Sequence, residues 1–291
     1  MHPAIQNYWI TFNEPLEGRV NFMYLDQKGW VSTGVGNKID ETVAANSAPT
    51  PAERAASLAL AGELGWLDSG GSPAAPEQIA ADWDAVKSRL DLAPQGHRAF
   101  RSLTALNLDD KEIDRFVFVK LDQMEIVLVG RQDFTDFASW PANAQLATLS
   151  MCWALGPAFR FPKLQRHVSA RDWSGAAAEC HFEPDLGTIR IRNMLDRAHF
   201  LLARAAEDQG LPAEQLALDV SDEFGVQGAL LALGYGPGPQ DGVAGPTTQR
   251  AVRAFQSDNV LASQNGAWDD PETRGALGAR LMERGFAVFG G

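Results

Sequence analysis

Two side chains near the start of this 291-residue sequence have types and spacing suited to chemistry: Glu17 and Asp26, with the hydroxyl of Ser32 beyond them. Breaking a bond between two sugars needs a proton donor for the leaving oxygen and a second carboxylate across the ring. The donor must hold its proton at neutral pH, so its pKa has to be raised by burial or by a nearby charge. A glutamate at the end of a helix and an aspartate in the hairpin after it supply both groups from one short segment. By itself such a spacing is ordinary, because the chain has 37 acidic residues and most acids are simply solvated. The residues around the pair carry the signal.

The elements that must position them read as follows. Leu16 to Met23 can be helical. Tyr24 to Gly36 is rich in β-branched and aromatic residues and carries a turn at Gln27-Lys28-Gly29, which reads as a hairpin. Gly34 and Gly36 fit a hairpin exit with positive φ, and they let a ligand approach the backbone. A soft connection around Asn46–Ala52 leads into helical patterns. Pro76-Glu77-Gln78 opens a helix with Ile79, Trp83, Val86 and Leu90 at helical spacing. Asp109–Glu112 opens another, with Ile113, Phe116, Val117, Leu121 and Met124 on one side. Pro141 starts a third, with Leu146, Leu149 and Trp153, which Gly156-Pro157 ends. The last long helix is expected to turn Ile191, Met194, Leu195, Ala198 and Leu202 inward. Residues 1–206 therefore read as one mostly helical domain with a small β-hairpin, and 207–222 as a polar linker.

The segment Glu17-Gly18, Tyr24-Leu25-Asp26, Gly29, Ser32 and Gly34-Val35-Gly36-Asn37 resembles the T4-type phage lysozyme family, with the spacing from Glu17 through Asp26 and Ser32 to Gly34 kept without a gap. The resemblance implies an α+β lysozyme-like fold. It implies that Glu17 protonates the glycosidic oxygen, that Asp26 acts on the attacking water, and that Ser32 stands where the family's water-positioning threonine is expected. Thr33, next to it, would face the other side of a strand. Tyr24, Gly34, Gly36 and Asn37 are the implied substrate-binding positions, with Asn37 replacing the family's usual histidine. Asn143-Ala144-Gln145-Leu146, Ser150 to Gly156, Phe161 to Leu164, Asp172 to Ala177 and Arg192 to Phe200 follow the order of that family's C-terminal lobe, with Ala154 where many relatives have asparagine. Arg190 and Arg192 can meet acidic peptide stems or pair with local carboxylates; both readings stand.

From residue 223 to 285 the composition shifts to Gly and Pro, and a weak repeat appears. Asp241-Gly242 to Val252 is echoed by Asn265-Gly266 to Leu277. Thr247 or Thr248 is expected to cap a helix, with Leu230, Leu233, Val252 and Phe255 in a core. This stretch resembles the small, all-α, three-helix peptidoglycan-binding domain of cell-wall enzymes, and the resemblance implies a shallow groove near Tyr235 and Asp241. The two resemblances together imply an inverting muramidase that cleaves the β-1,4 bond between N-acetylmuramic acid and N-acetylglucosamine. Two alternatives stand beside it: a non-catalytic wall-binding protein on a lysozyme scaffold, and a lytic transglycosylase, which needs only the acid.

Composition bounds the rest. The formal charge is −12, which argues against nucleic acid as a partner. Peptidoglycan strands are also anionic, so affinity for them must come from shaped pockets and not from long-range attraction. No secretory signal is visible in Met1–Asn7, and no stretch reaches the roughly 20 apolar residues of a membrane span. The expectation is a monomeric bacteriolytic protein made in the cytoplasm and delivered to the periplasm or cell wall. Delivery would be by a secretion apparatus, with a cognate inhibitor protein as partner, or by a holin, as for an endolysin. Cys152 and Cys180 lack metal-ligand spacing and read as small buried hydrophobes, so no metal or cofactor is expected.

Overall fold

The computed structural model describes residues 1–290. Its internal contacts group residues 17–120 as one unit, and residues 1–16 with 121 onward as another. The chain is mostly helical with a small sheet.

In the 17–120 unit the chain leaves helix α1 (Pro3–Glu17) through Gly18, whose φ of 76° only glycine adopts freely. The helix expected over Leu16–Met23 is corrected here: it stops at Glu17, and Val20–Leu25 form strand β1. The left-handed Gly18 ends the helix, and Val20, Phe22 and Tyr24 at alternate positions after it fit a pleated surface. Strand β1 pairs antiparallel with β2 (Val31–Gly34), and β2 with β3 (Asn37–Lys38). Tyr24 lies opposite Ser32, and Ser32 opposite Lys38. Helix α2 (Pro51–Ala61) begins with a capping box between Thr50 and Glu53.

Helix α3 (Pro76–Lys87) buries Ile79, Trp83 and Val86 and fastens the sheet from behind. The Trp83 indole donates to the Ile39 carbonyl at 3.0 Å. Lys87, only 4% exposed, donates from Nζ to the carbonyls of Gly29 and Ala45 and to Oδ2 of Asp40, each at 2.9 Å. Asp40 is fully buried and also accepts from the Val31 and Thr42 amides. Burial works to raise its pKa, yet the hydrogen bonds from Thr42, Val31 and Lys87 hold it below the usual carboxylate value.

In the other unit the back half of α4 (Asp110–Val129) leads to α5 (Ala142–Leu155), buried on every side from Ala142 to Cys152, as a central core helix must be. Helices α6 (Pro162–Ser169), α7 (Trp173–Glu179) and α8 (Gly187–Asp208) complete this lobe. The inward face expected for α8 is corrected. Leu195 is buried as expected, but its buried companions are Arg192, Asn193, Asp196, His199, Phe200, Ala203 and Ala206, while Ile191, Met194, Ala198 and Leu202 are only half-buried. The apolar stripe pointed to the wrong face because the true inward face carries buried polar groups, of which Arg192, Asn193 and His199 find partners. Arg192 donates to the Ser150 carbonyl and hydroxyl and to Asn13 Oδ1, which makes it a buried brace. Arg190 is exposed.

Helices α9 (Glu223–Ala232), α10 (Pro246–Asp258) and α11 (Pro271–Glu283) follow. Two short strands, β4 (Ala217–Asp219) and β5 (Ala287–Phe289), flank the stretch expected to be all-α and pair in parallel. Strand β4 falls in the stretch read as a linker. The Asn143 side chain clamps it, accepting from the Ala217 amide and donating to the Ala217 carbonyl, both at 2.8 Å.

Candidate functional site

The first candidate site lies in the 17–120 unit. Asp26 closes the β1–β2 hairpin: its amide donates to the Trp30 carbonyl at 2.9 Å, and its Oδ1 accepts from the amides of Lys28, Gly29 and Trp30 at 2.9, 2.8 and 3.0 Å. Three backbone donors on one oxygen fix the carboxylate's direction. Oδ2 has no protein partner among the described residues, so it is the oxygen available to a water or a substrate hydroxyl. Any turn-forming aspartate makes bonds like these. What sets this one apart is its neighbour Tyr24.

Tyr24 is half-buried, and its phenol pKa is pushed up first by burial and then by the charges of Glu17 and Asp26. Both carboxylates therefore lie within electrostatic reach of one side chain. Gly36 fits the same picture. A Cβ built there would lie 2.7 Å from Oε2 of Glu17 and 3.2 Å from its Cδ. Gly36 has a φ of 69° in the tight turn between β2 and β3, so the glycine serves both the turn and the room the carboxylate needs. Gly34, with a φ of 63°, comes close to Asn37 Oδ1 in the same way.

Ser32 and Thr33 separate cleanly. Ser32 pairs with Tyr24 across the strands, so it shares Tyr24's face of the sheet. Its hydroxyl has no protein partner among the described residues. Thr33 faces the other side, fully buried, with Oγ1 at 3.4 Å from the Val20 carbonyl. Asn37 is 2% exposed; its Oδ1 accepts from the Val35 amide at 3.1 Å, and its Nδ2 has no partner. In this position Asn37 holds the turn that carries Gly36. The residue that sequence reasoning missed is Lys87, which ties the Gly29 turn and buried Asp40 to α3. Nothing local marked it, because a lysine in an amphipathic helix ordinarily reads as solvated.

The second site is the C-terminal module. Gln227, 1% exposed, donates from Nε2 to Asp241 Oδ1, the Val243 carbonyl and Thr248 Oγ1, while its Oε1 accepts from the Gly242 amide at 2.8 Å. Gln256, fully buried, repeats the pattern, donating to the Ala267 carbonyl and Thr273 Oγ1 and accepting from the Gly266 amide at 2.9 Å. The sequence echo is thus a physical repeat: a buried glutamine reads the turn glycine and a helix-start threonine in each half. Asp241 belongs to this turn. The expected threonine cap is corrected: Gly245 is the N-cap of α10, and Thr248 turns inward to donate to the Pro237 carbonyl at 2.9 Å. The expected core of Leu230, Leu233, Val252 and Phe255 is buried.

Tyr235 packs edge-on against Phe255, with ring centroids 5.5 Å apart, and donates to Asp258 Oδ2 at 3.0 Å. It lines an open cavity of about 300 Å³ together with Asp258, Asn259, Arg280, Glu283 and Arg284. Burial, then Asp258, raises the Tyr235 pKa. Elsewhere, Cys152 and Cys180 are buried free thiols whose pKa values burial pushes up to about 12.

Comparison with known families gives one finding for this region: residues 225–277 match the peptidoglycan-binding domain family. The module formed by α9, α10 and the start of α11 is therefore a peptidoglycan-binding domain, which supports association with the cell wall. No curated protein matches the chain.

Proposed function

We propose that this protein is a peptidoglycan hydrolase, a muramidase whose C-terminal domain holds it to the wall while residues 17–120 supply the catalytic carboxylates. The observation that carries the reading is that Gly36 leaves space for the Glu17 carboxylate while Glu17 and Asp26 both lie within electrostatic reach of Tyr24. In this scheme Glu17 donates its proton to the glycosidic oxygen as the bond breaks. Asp26, held through Oδ1, uses Oδ2 to take a proton from the attacking water, and the Ser32 hydroxyl orients that water. Water entering from the face opposite the leaving group inverts the anomeric carbon. Delivery to the wall by a secretion apparatus or a holin, and a cognate inhibitor in the former case, belong to the same proposal.

A second reading has an observation in its favour. Oδ1 of Asp26 is wholly occupied in the hairpin turn, as for a structural aspartate, so a lytic transglycosylase using Glu17 alone fits as well. Mass spectrometry of the products from purified sacculi separates the two. A muramidase releases muropeptides with reducing ends and loses activity in Asp26→Asn. A transglycosylase releases anhydro-muramic ends and keeps its activity in that variant. A chain that binds sacculi and releases nothing would sink both.

A further inference from the structure

The face of the sheet that carries Asp26 continues into a feature the proposed chemistry leaves unused. Strand pairing puts Tyr24, Ser32 and Lys38 side by side, and strand alternation adds Asp26 and Trp30 to the same face. The half-buried Trp30 indole, anchored by its donation to the Thr42 carbonyl at 2.9 Å, is flanked by two ammonium groups. Lys38 Nζ lies 5.3 Å from the ring centroid and Lys28 Nζ 5.7 Å. Both lysines are exposed, and among the described residues neither has a carboxylate within ion-pairing distance. In a chain with 37 acids and 25 Lys and Arg, two adjacent unpaired cations are unexpected. Asp26 lies on the same face, and Lys38 acts on Lys120, on which Glu41 and Glu63 also act.

We infer that Lys28, Trp30 and Lys38 form a subsite for a carboxylate-bearing sugar of the glycan, next to the cleavage position. The indole offers a flat apolar surface to a sugar ring, and cation–π contact holds the two ammonium groups at its margin, where they meet a carboxylate on that sugar. Muramic residues carry such a group on the peptide stem, or on the lactyl ether where the stem is absent; N-acetylglucosamine carries none. The subsite rests on the proposed glycan-cleaving reading, and it supplies local attraction for an anionic polymer that the net charge of −12 would otherwise repel.

The test reads binding directly, so that it does not depend on cleavage. The Trp30 indole N–H of the full chain is followed by NMR during titration with N-acetylmuramyl dipeptide, with its free carboxyl, and with neutral tri-N-acetylchitotriose. The muramyl ligand is expected to bind about fivefold or more tightly at low salt. That preference is expected to collapse to within about twofold in Lys28→Gln/Lys38→Gln, and also in wild type at 0.5 M salt, where screening acts within a few ångströms. Equal affinity for the two ligands in wild type, or a preference the double variant keeps, overturns the subsite. On sacculi the double variant should raise KM about tenfold with kcat within about twofold; a loss confined to kcat contradicts it. In intact sacculi the lactyl carboxyl is in amide linkage to the stem, so a KM effect there reads a stem carboxylate, and a KM effect on strands stripped of peptides reads the freed lactyl carboxylate. If wild type cleaves nothing, the muramidase reading fails while the titration still decides the subsite.

Discussion

Replacing Lys87 with methionine tests how the hairpin is held. The methionine keeps the apolar stem in its packed place and removes only the ammonium. Three contacts go with it: the carbonyls of Gly29 and Ala45 each lose a donor at 2.9 Å, and Asp40, fully buried, loses its counter-ion. Breaking a buried pair on one side costs about 3–5 kcal/mol, because the remaining charge has no water to return to. The sign with pH follows from Asp40. Its folded pKa lies below its ordinary value, so it contributes stability above the unfolded pKa, and that contribution is lost as pH falls through the folded pKa. In Lys87→Met burial remains while one lowering bond is gone, so the carboxyl takes up a proton at higher pH and the deficit narrows as pH drops toward 4. The double variant Asp40→Asn/Lys87→Met leaves no buried charge and should recover much of the loss. Urea unfolding at pH 7 and pH 5, followed by tryptophan fluorescence, measures all of this. A deficit below about 1 kcal/mol at pH 7, or one that does not move with pH, would refute the reasoning.

Three other outcomes are expected. Gly36→Ala puts a Cβ at 2.7 Å from Glu17 Oε2 on a φ of 69°, so it should cost about 1–2 kcal/mol in thermal unfolding and lower kcat on sacculi tenfold or more through a displaced Glu17. Asp196 is fully buried, has no partner on either carboxyl oxygen, and has its pKa raised to about 7 by burial, against the opposing pull of Arg192 and Ser150. Its contribution is therefore full below the unfolded pKa and is lost as pH rises through 7. Between pH 5 and pH 8 wild type should lose more stability than Asp196→Asn, and parallel unfolding curves would contradict this. Gln227→Leu strands the Gly242 amide and removes the donor to Thr248 Oγ1, so it should destabilise by about 2–4 kcal/mol and abolish sacculus pull-down, as should Gln256→Leu.

The parts legible in the sequence were those with local signatures. Gly34 and Gly36 read as turn glycines, and the positive φ of both followed from the turn chemistry. Helices α3, α4 and α5 were visible through their apolar spacing and their Pro or acidic starts. The echo of Asp241-Gly242 in Asn265-Gly266 marked the C-terminal repeat, and the family match at 225–277 agrees with it. What stayed hidden were polar groups whose partners lie far along the chain. Lys87 and Asp40, the Asn143 clamp on Ala217, and Gln227 and Gln256 carry no local sign of burial, which shows only once their partners are seen. The same blindness displaced the inward face of α8, where Arg192, Asp196 and His199 are buried and Met194 and Leu202 are not. The β4–β5 pair joins residues some 70 apart, beyond any local pattern.

The most direct test of the central claim compares wild type with Glu17→Gln for reducing ends released from purified sacculi, with binding to the same sacculi measured in parallel. The amide keeps the shape of the side chain and removes the proton it would donate. The expected result is a loss of at least about 100-fold in kcat with sacculus binding unchanged, since binding is assigned to the domain at residues 225–277. Release from Glu17→Gln at the wild-type rate would contradict it.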